Sequence, residues 1–581
     1  LRALDWAVLG ASLLFIVVYG VLRSRRQKGL EGYLLAGRTQ AWWTVALSIM
    51  ATQASAITFL STPGQAYADG MRFVQFYFGL PLAMVILCIT VVPLFHRLNV
   101  YTAYEYLEGR FDLKTRTLTA SLFLVQRGLA CGLTIYAPAL ILSVLLGWSI
   151  QVTTLVMGGL VVVYTTSGGA KAVNETQTQQ MVIILLAMGV ALVALFRVLP
   201  AGVGFSDAVL VSGALGRMNA VDTSFDWSSR YNLWSGLIGG AFLSLSYFGT
   251  DQSQVQRYLT GRSVAQSRLG LLVNGLVKVP MQFAILFVGA MVFAFYQFVA
   301  PPLWFNPVEA KQAAEGPRGA EMAALQSAHR AAQSERRTEA LKLVAAGKSG
   351  DESALAAAKA SLRAAHAKAE AVKTRAAALV KETVPKSEGK DTNYVFLRFV
   401  LDVLPSGIVG LVLAAIFAAS MSSTSAELNA LSTTSVVDVY RRLLGRDASE
   451  EKLVKISKGL TVVWGVFAIA FAQYASRLGT LVEAVNILGS FFYGTILGVF
   501  LTAFYLPRVK GGASFWGAIA GEAAVVACFA FTDVSFLWLN ALGCIVVVLV
   551  ALAVSIVTER GRGGGGVAAR LPEGRRTPAD S

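Results

Sequence analysis

The sequence predicts an all-α membrane protein, and three observations carry that prediction. Of its 581 residues, 55% are hydrophobic and only 14% are charged, where soluble domains hold about 25% charged residues. The apolar residues lie in long unbroken blocks such as 4–22, 73–95 and 536–557. Each is near the roughly 20 residues that cross a hydrocarbon core of about 30 Å. Basic residues gather in every second connection between blocks, the bias that marks cytoplasmic loops.

The length criterion gives roughly thirteen spans. Their limits are 4–22, 42–62, 73–95, 119–146, 150–166, 181–199, 234–259, 269–298, 403–425, 456–475, 481–506, 515–531 and 536–557. No small-residue cleavage site follows the first block, so it reads as a span and not as a signal peptide. Arg23, Arg25, Arg26 and Lys28 follow span one, and Arg97, Arg110, Lys114 and Arg116 follow span three. Lys171 follows span five, Arg257, Arg262 and Arg268 span seven, and Arg441, Arg442, Arg446, Lys452 and Lys455 span nine. This pattern places the N-terminus outside and the C-terminus in the cytoplasm of a bacterial inner membrane. The net charge of +16 is then mostly loop asymmetry. No basic patch interleaved with aromatics points to nucleic acid.

The membrane part falls into 1–305, with spans one to eight, and 394–559, with spans nine to thirteen. Between them 306–393 is rich in Ala, Lys, Arg and Glu. Its segments 319–346 and 353–382 are strong helix formers, and Gly347 to Asp351 is a turn signal. An exterior helical hairpin is predicted, dispensable for transport, with a contact to an unidentified periplasmic partner left open. The tail 560–581 reads as disordered.

No catalytic constellation is present, so the chain is not read as an enzyme. Cys88, Cys131, Cys528 and Cys544 lie inside apolar blocks without CxxC spacing, which supports neither zinc nor disulfides. His329 and His366 belong to the polar insertion and His96 ends a span. HExxH, GxSxG and P-loop patterns are absent.

Polar residues inside spans are costly and therefore informative. Span two holds the small, polar run Ala51 to Gly64, closed by Pro63-Gly64, and span seven holds Ser244 to Gln252. Both are poor continuous helices, and five spans separate them. Interrupted helices at matching places in two halves mark transporters built from inverted repeats. The repeats would be 42–199 and a second unit beginning near 231. Span nine contains Ala419, Ser422 and Ser423 on one helical face. A monovalent cation suits such neutral oxygens, and an unwound span two would add carbonyls from Ala51 and Ala54. The competing reading of these hydroxyls is helix–helix packing.

Longer signatures narrow the choice. Met421-Ser422-Ser423, Asn429, Ser432 to Ser435 and Asp438-Val439-Tyr440 resemble the sodium-site helix of the sodium:solute symporter family. Asp251-Gln252-x3-Gln256-Arg257 resembles its (D/N)Q-x3-QR signature, and Gly168-Gly169-x-Lys171-Ala172-Val173 its loop between spans five and six. The resemblance covers nearly the whole chain except the insertion. It implies a LeuT-like five-plus-five core with flanking helices and sodium as the coupling ion, with no other cofactor.

The resemblance also implies roles. One sodium would sit among Ala51, Ala54, Ala419, Ser422 and Ser423. The small-molecule solute would meet Gln53 and Thr58 in span two, Tyr77 in span three, Lys278 in span eight and Asn486 in span eleven. Tyr247 and Phe248 would close the site from inside. Lys278 stands out without the family too, because an unpaired ammonium inside a membrane is expensive; its other reading is a structural partner for a carboxylate such as Asp251. A second cation site in some members uses two serines further along span nine and an Asp in span six. Here Ser425 keeps one serine, Ala426 replaces the other, and Gln177 stands for the Asp, so one sodium per solute is expected.

Sugar-transporting members tend to carry Glu at the place of Tyr77 and His at that of Thr58. Their absence, and the run from Gln252 to Tyr258, favour a small organic anion, a monocarboxylate or vitamin, over a sugar. A sensor keeping the transporter fold is the alternative from another class; the stretch after Val557 is too short for an output domain.

Overall fold

The computed structural model describes residues 1–24, 29–385, 387, 389–445, 448–475 and 480–560. The predicted basic positions Arg25, Arg26, Lys28 and Arg446 and the tail beyond Arg560 lie outside the described residues, as do the side chains of Arg23 and Lys171.

Every predicted span has a helical counterpart. Among the described residues nine helices are long and apolar enough to cross a membrane. A tenth span is the pair Trp42–Gln53 and Ala56–Asp69, bent by 59° at its break. The other three counterparts are shorter apolar stretches: Ala3–Ile16, Ile150–Thr166 and Ser235–Gly249. Span nine lies at the centre, with 83% of its most apolar stretch buried against other helices. Spans ten and twelve bury only 28% and form the rim that faces lipid.

Spans five and six form one helical run, Ile150–Arg197, where the sequence suggests a loop at 168–173. The run is not straight. Tyr164 Oη and Thr176 Oγ1 are 2.6 Å apart, whereas twelve residues of straight helix would separate their backbones by about 18 Å. The chain therefore bends between them.

The broken span two shows why a break forms there. Pro63 is not its cause, since the second half-helix runs on through it. At the break Ser55 N–H turns to Gln53 O at 3.1 Å and Thr58 N–H to Ser55 O at 2.9 Å. In a continuous helix these donors would go to Ala51 O and Ala54 O. Span seven breaks in the same way. Its first half ends at Gly249, and Asp251 caps the short helix Gln252–Leu259 by accepting from Ser253 N–H at 2.9 Å.

The insertion is a helical hairpin, Gly319–Ser349 and Glu352–Thr383. Gly350 takes a left-handed φ of 73° at the turn, a conformation that costs glycine little. Asp351 caps the second helix. The hairpin lies against the bundle, which the sequence reading of an exposed appendage did not foresee. Leu343 and Val344 pack with Val203, Val211 and Phe298, and Met322 and Leu325 with Leu303 and Trp304. Removing 310–390 would uncover this apolar surface. His329 Nε2 meets Pro301 O at 3.1 Å, and Arg336 donates to Tyr296 O at 2.8 Å.

Arg336 also donates to His366 Nδ1 at 3.4 Å; a guanidinium can only donate, so this nitrogen accepts and His366 is neutral. Burial, with Arg336 and Arg217 nearby and Glu370 opposing them, pushes His366 down to about 4. Above an unfolded value near 6.5 both states are neutral and docking is at full strength. As pH falls towards 4 the detached hairpin takes up a proton that the docked one refuses, so docking weakens. Protease sensitivity of the hairpin should rise over this window, and His366→Leu should flatten the rise; an unchanged profile in the variant would assign it to other groups.

Candidate functional site

The break in span two faces span nine. Ser422 Oγ donates to Ala51 O at 2.7 Å and lies 3.2 Å from Ala419 O. Ser423 Oγ donates to Ala419 O at 3.0 Å. Ala54 stands at the break itself, with its own N–H held by Met50 O. Ala51, Ala419, Ser422 and Ser423 are thus neighbours, with Ala54 three residues along at the break, and their oxygens are all carbonyls and hydroxyls. Among the described residues no cluster of three His, Cys, Asp or Glu could hold a metal. A neutral oxygen set can hold a monovalent cation without the carboxylate cage that a divalent ion draws.

Gln177 and Ser425 stand one step further along. Gln177 Nε2 donates to Ser422 O and to Thr52 Oγ1, each at 3.0 Å. Ser425 Oγ donates to Ser422 O at 3.0 Å. Ser48 donates to Gln177 Oε1. An amide N–H₂ therefore points at the oxygens that a second cation would need.

Beside the break lies a cavity of about 100 Å³. Five of the seven predicted solute residues line it: Gln53, Thr58, Tyr77, Tyr247 and Asn486. Phe248 does not; it is fully buried, its ring edge-on to Tyr247 with centroids 4.9 Å apart. Lys278 is also outside the lining. Its ammonium lies 5.5 Å from the Tyr77 ring centre, fully buried, with no hydrogen-bond partner among the described residues. The reading of Lys278 as a partner of Asp251 fails, because Asp251 is paired with Arg127.

The other wall holds residues the sequence reading missed. Arg127 in span four donates to Asp251, to Tyr493 Oη at 2.6 Å and to Glu427 Oε1 at 3.1 Å. Its guanidinium also sits 5.4 Å from the Tyr247 ring centre. Arg127, Glu427, Gln126 and Tyr493 all border the cavity. Arg127 is a charged residue within a predicted span, the signal that singled out Lys278, and it would have found Arg127; Glu427 lies just beyond the predicted limit of span nine, on a helix that runs on to Thr434.

The signatures behind the family resemblance serve mainly as scaffold. Asp438 accepts from Arg116 at 2.6 Å and from Thr102 at 2.8 Å. Gln256 donates to Leu34 O at 2.6 Å, and Arg257 to Asn174 Oδ1 at 2.6 Å. Gln252 holds Tyr101 O and the Ala103 N–H. These bonds fix the connections after spans three and seven around the end of span nine.

Comparison with known proteins identifies the family and the fold. The human sodium/iodide cotransporter is 28% identical over 90% of this chain and 69% of its own length. A sodium/sialic acid symporter of Aliivibrio fischeri is 26% identical over 94% of this chain and 92% of its own. The human sodium-coupled monocarboxylate transporter 1 is 27% identical over 89% and 72%. The solved structure of a sodium-coupled sialic acid symporter in a substrate-bound outward-open state superposes with a TM-score of 0.72 at 22% identity. It covers 96% of this chain and 98% of that one, which establishes the LeuT-like fold. The model of the sodium:solute symporter family matches residues 33–326 and 371–521, leaving only the middle of the hairpin unmatched between them. Spans, breaks and match together place this chain in the sodium:solute symporter family.

Proposed function

We propose that the chain is a secondary active symporter that imports a small organic anion with one sodium ion by alternating access. One observation carries the reading: the break in span two supplies opposite polarity on its two sides. On one side it takes the Ser55 and Thr58 N–H groups away from the carbonyls of Ala51 and Ala54, and the Ala51 oxygen meets the Ser422 hydroxyl. On the other side the half-helix Ala56–Asp69 begins at Ser55 without a side-chain cap, and Ser55, Ile57 and Thr58 border the cavity. Carbonyls at a broken helix suit a sodium ion, and a helix N-terminus suits an anion. A cation and an anion bound on either side of one break stabilise each other, which couples their movement. The relatives named above carry iodide, sialic acid and monocarboxylates, all anions. The membrane is a bacterial inner membrane, with the N-terminus and the hairpin outside.

A second reading, a neutral sugar, draws on the amides of Gln53, Gln126 and Asn486 around the cavity. Uptake into proteoliposomes decides. A sodium gradient should drive accumulation of small carboxylates, while a potassium or proton gradient alone should not; equal accumulation under all three would remove sodium coupling. Preference for sugars would select the second reading.

The Ser423 hydroxyl tests the ion site. Loss of one oxygen ligand worth about 1–3 kcal/mol should raise the sodium concentration for half-maximal uptake by about five- to 150-fold in Ser423→Ala. Wild-type sodium dependence in that variant would show the site to be misplaced.

A further inference from the structure

We infer that the cavity selects carboxylates that carry a hydrogen-bond donor next to the carboxyl group, and that Glu427 is the residue that reads the donor. The inference rests on the small-anion reading and narrows it.

Three acceptor oxygens belonging to residues that border the cavity are buried without a hydrogen-bond partner among the described residues. They are Gln53 Oε1, Gln126 Oε1 and Glu427 Oε2. They come from three spans, and two are fixed by their companion atoms. Gln126 Nε2 donates to Tyr493 Oη at 3.3 Å, and Glu427 Oε1 accepts from Arg127 at 3.1 Å. The Thr134 hydroxyl, which donates to Ala130 O at 3.2 Å, and the Cys131 thiol are the other groups beside the Glu427 carboxyl. Buried acceptors are normally satisfied, so each unsatisfied one needs an explanation. A solute that brings donors supplies it for all three at once.

The cavity is therefore two-sided. The uncapped start of Ala56–Asp69 offers N–H groups, and the facing residues offer oxygens. A plain alkyl carboxylate satisfies the first side and leaves the second empty; a neutral diol does the reverse. A 2-hydroxy- or 2-amino-carboxylate satisfies both. The two share a donor next to the carboxyl group, and about 100 Å³ suits a skeleton of a few carbons.

Four probes on one three-carbon skeleton test this: propionate, 2-hydroxypropionate, 2-aminopropionate and 1,2-propanediol. Thermal stabilisation of the purified full chain in sodium is the readout. At least one of the substituted acids should act at a concentration at least about tenfold below that of propionate, since sites built for a donor reject analogues lacking it. The tighter of the two identifies the donor as hydroxyl or ammonium. Propionate acting as well as both would overturn the inference and leave the small-anion reading standing. The diol acting as well as the acids would overturn the small-anion reading too, as would silence from all four. Glu427→Gln should narrow the gap between the preferred acid and propionate to less than about threefold. Gln126→Met, which does not touch the Arg127 ion pairs, should narrow it as well and serves if Glu427→Gln fails to fold. A folded variant of either residue with the wild-type gap would refute the assignment of that residue.

Discussion

Arg127→Met should destabilise the folded protein by about 3–5 kcal/mol, because it leaves buried charges without a partner. Arg127 is 3% exposed and stands between Asp251 and Glu427, which are 2% and 5% exposed. It also holds Tyr493 Oη. One substitution therefore removes the counter-charge of two carboxylates from spans seven and nine. Asp251 caps the helix after the break in span seven, so the damage reaches the second broken helix as well as the cavity. Thermal denaturation in detergent, followed by size exclusion, should show a variant with much lower stability and no solute uptake. Asp251→Asn added to Arg127→Met should recover part of the stability, because an amide needs no counter-charge. A single variant as stable as wild type would mean that the two carboxylates are satisfied by other means.

The second large effect concerns ion number. Wild-type uptake should reach null flux at the first power of the sodium ratio, and Gln177→Asp should shift this condition towards the square. Two cations about 5 Å apart repel by roughly 3 kcal/mol at an effective dielectric of 20. Nothing negative offsets that repulsion at Gln177. Its amide instead places N–H donors 3.0 Å from Ser422 O and Thr52 Oγ1, where a cation would have to bind. A carboxylate removes those donors and supplies the charge, while Ser425 and Thr52 remain as neutral oxygens. Proteoliposomes with opposed sodium and solute gradients give the exponent directly. A wild-type exponent of two would defeat the one-ion reading, and an unchanged exponent in Gln177→Asp would show that the amide is not what excludes the second ion.

Much of this architecture could be read in the chain because the bilayer restricts it. Spanning segments must be long, apolar and helical, so hydropathy alone located the nine long apolar helices and the bent pair among the described residues. The breaks in spans two and seven were legible for the opposite reason. Small polar residues, Gln53-Ala54-Ser55 and Thr250-Asp251, do not sustain a continuous helix, whereas the helix runs on through Pro63-Gly64. Ala419, Ser422 and Ser423 were legible through helical spacing. Contacts between distant spans were not legible. Nothing in the sequence near Arg127 announces Asp251, more than a hundred residues away, and Tyr77 gives no sign that its ring stands between Lys278 and the cavity. The hairpin helices and their turn could be read from composition. Their docking could not, because apolar positions such as Leu343 and Val344 are sparse within an Ala-rich, highly charged helix.

That docking has a mechanical consequence. Lys348 at one end of the hairpin donates to Gly202 O at 2.8 Å, and Arg363 donates to Ala214 O at 2.9 Å. Further along, Arg336 holds Tyr296 at the end of span eight, and the Lys373 ammonium lies 5.6 Å from the ring centre of Tyr67 on the second half of span two. The hairpin thus works as a cross-brace over one end of the bundle. It stiffens that end against shear between span two and span eight, so the pair turns as a single block and carries the brace with it. In the alternating access proposed above, the rearrangement on this side would fall on the seams the brace does not cross, where that block meets spans nine and eleven.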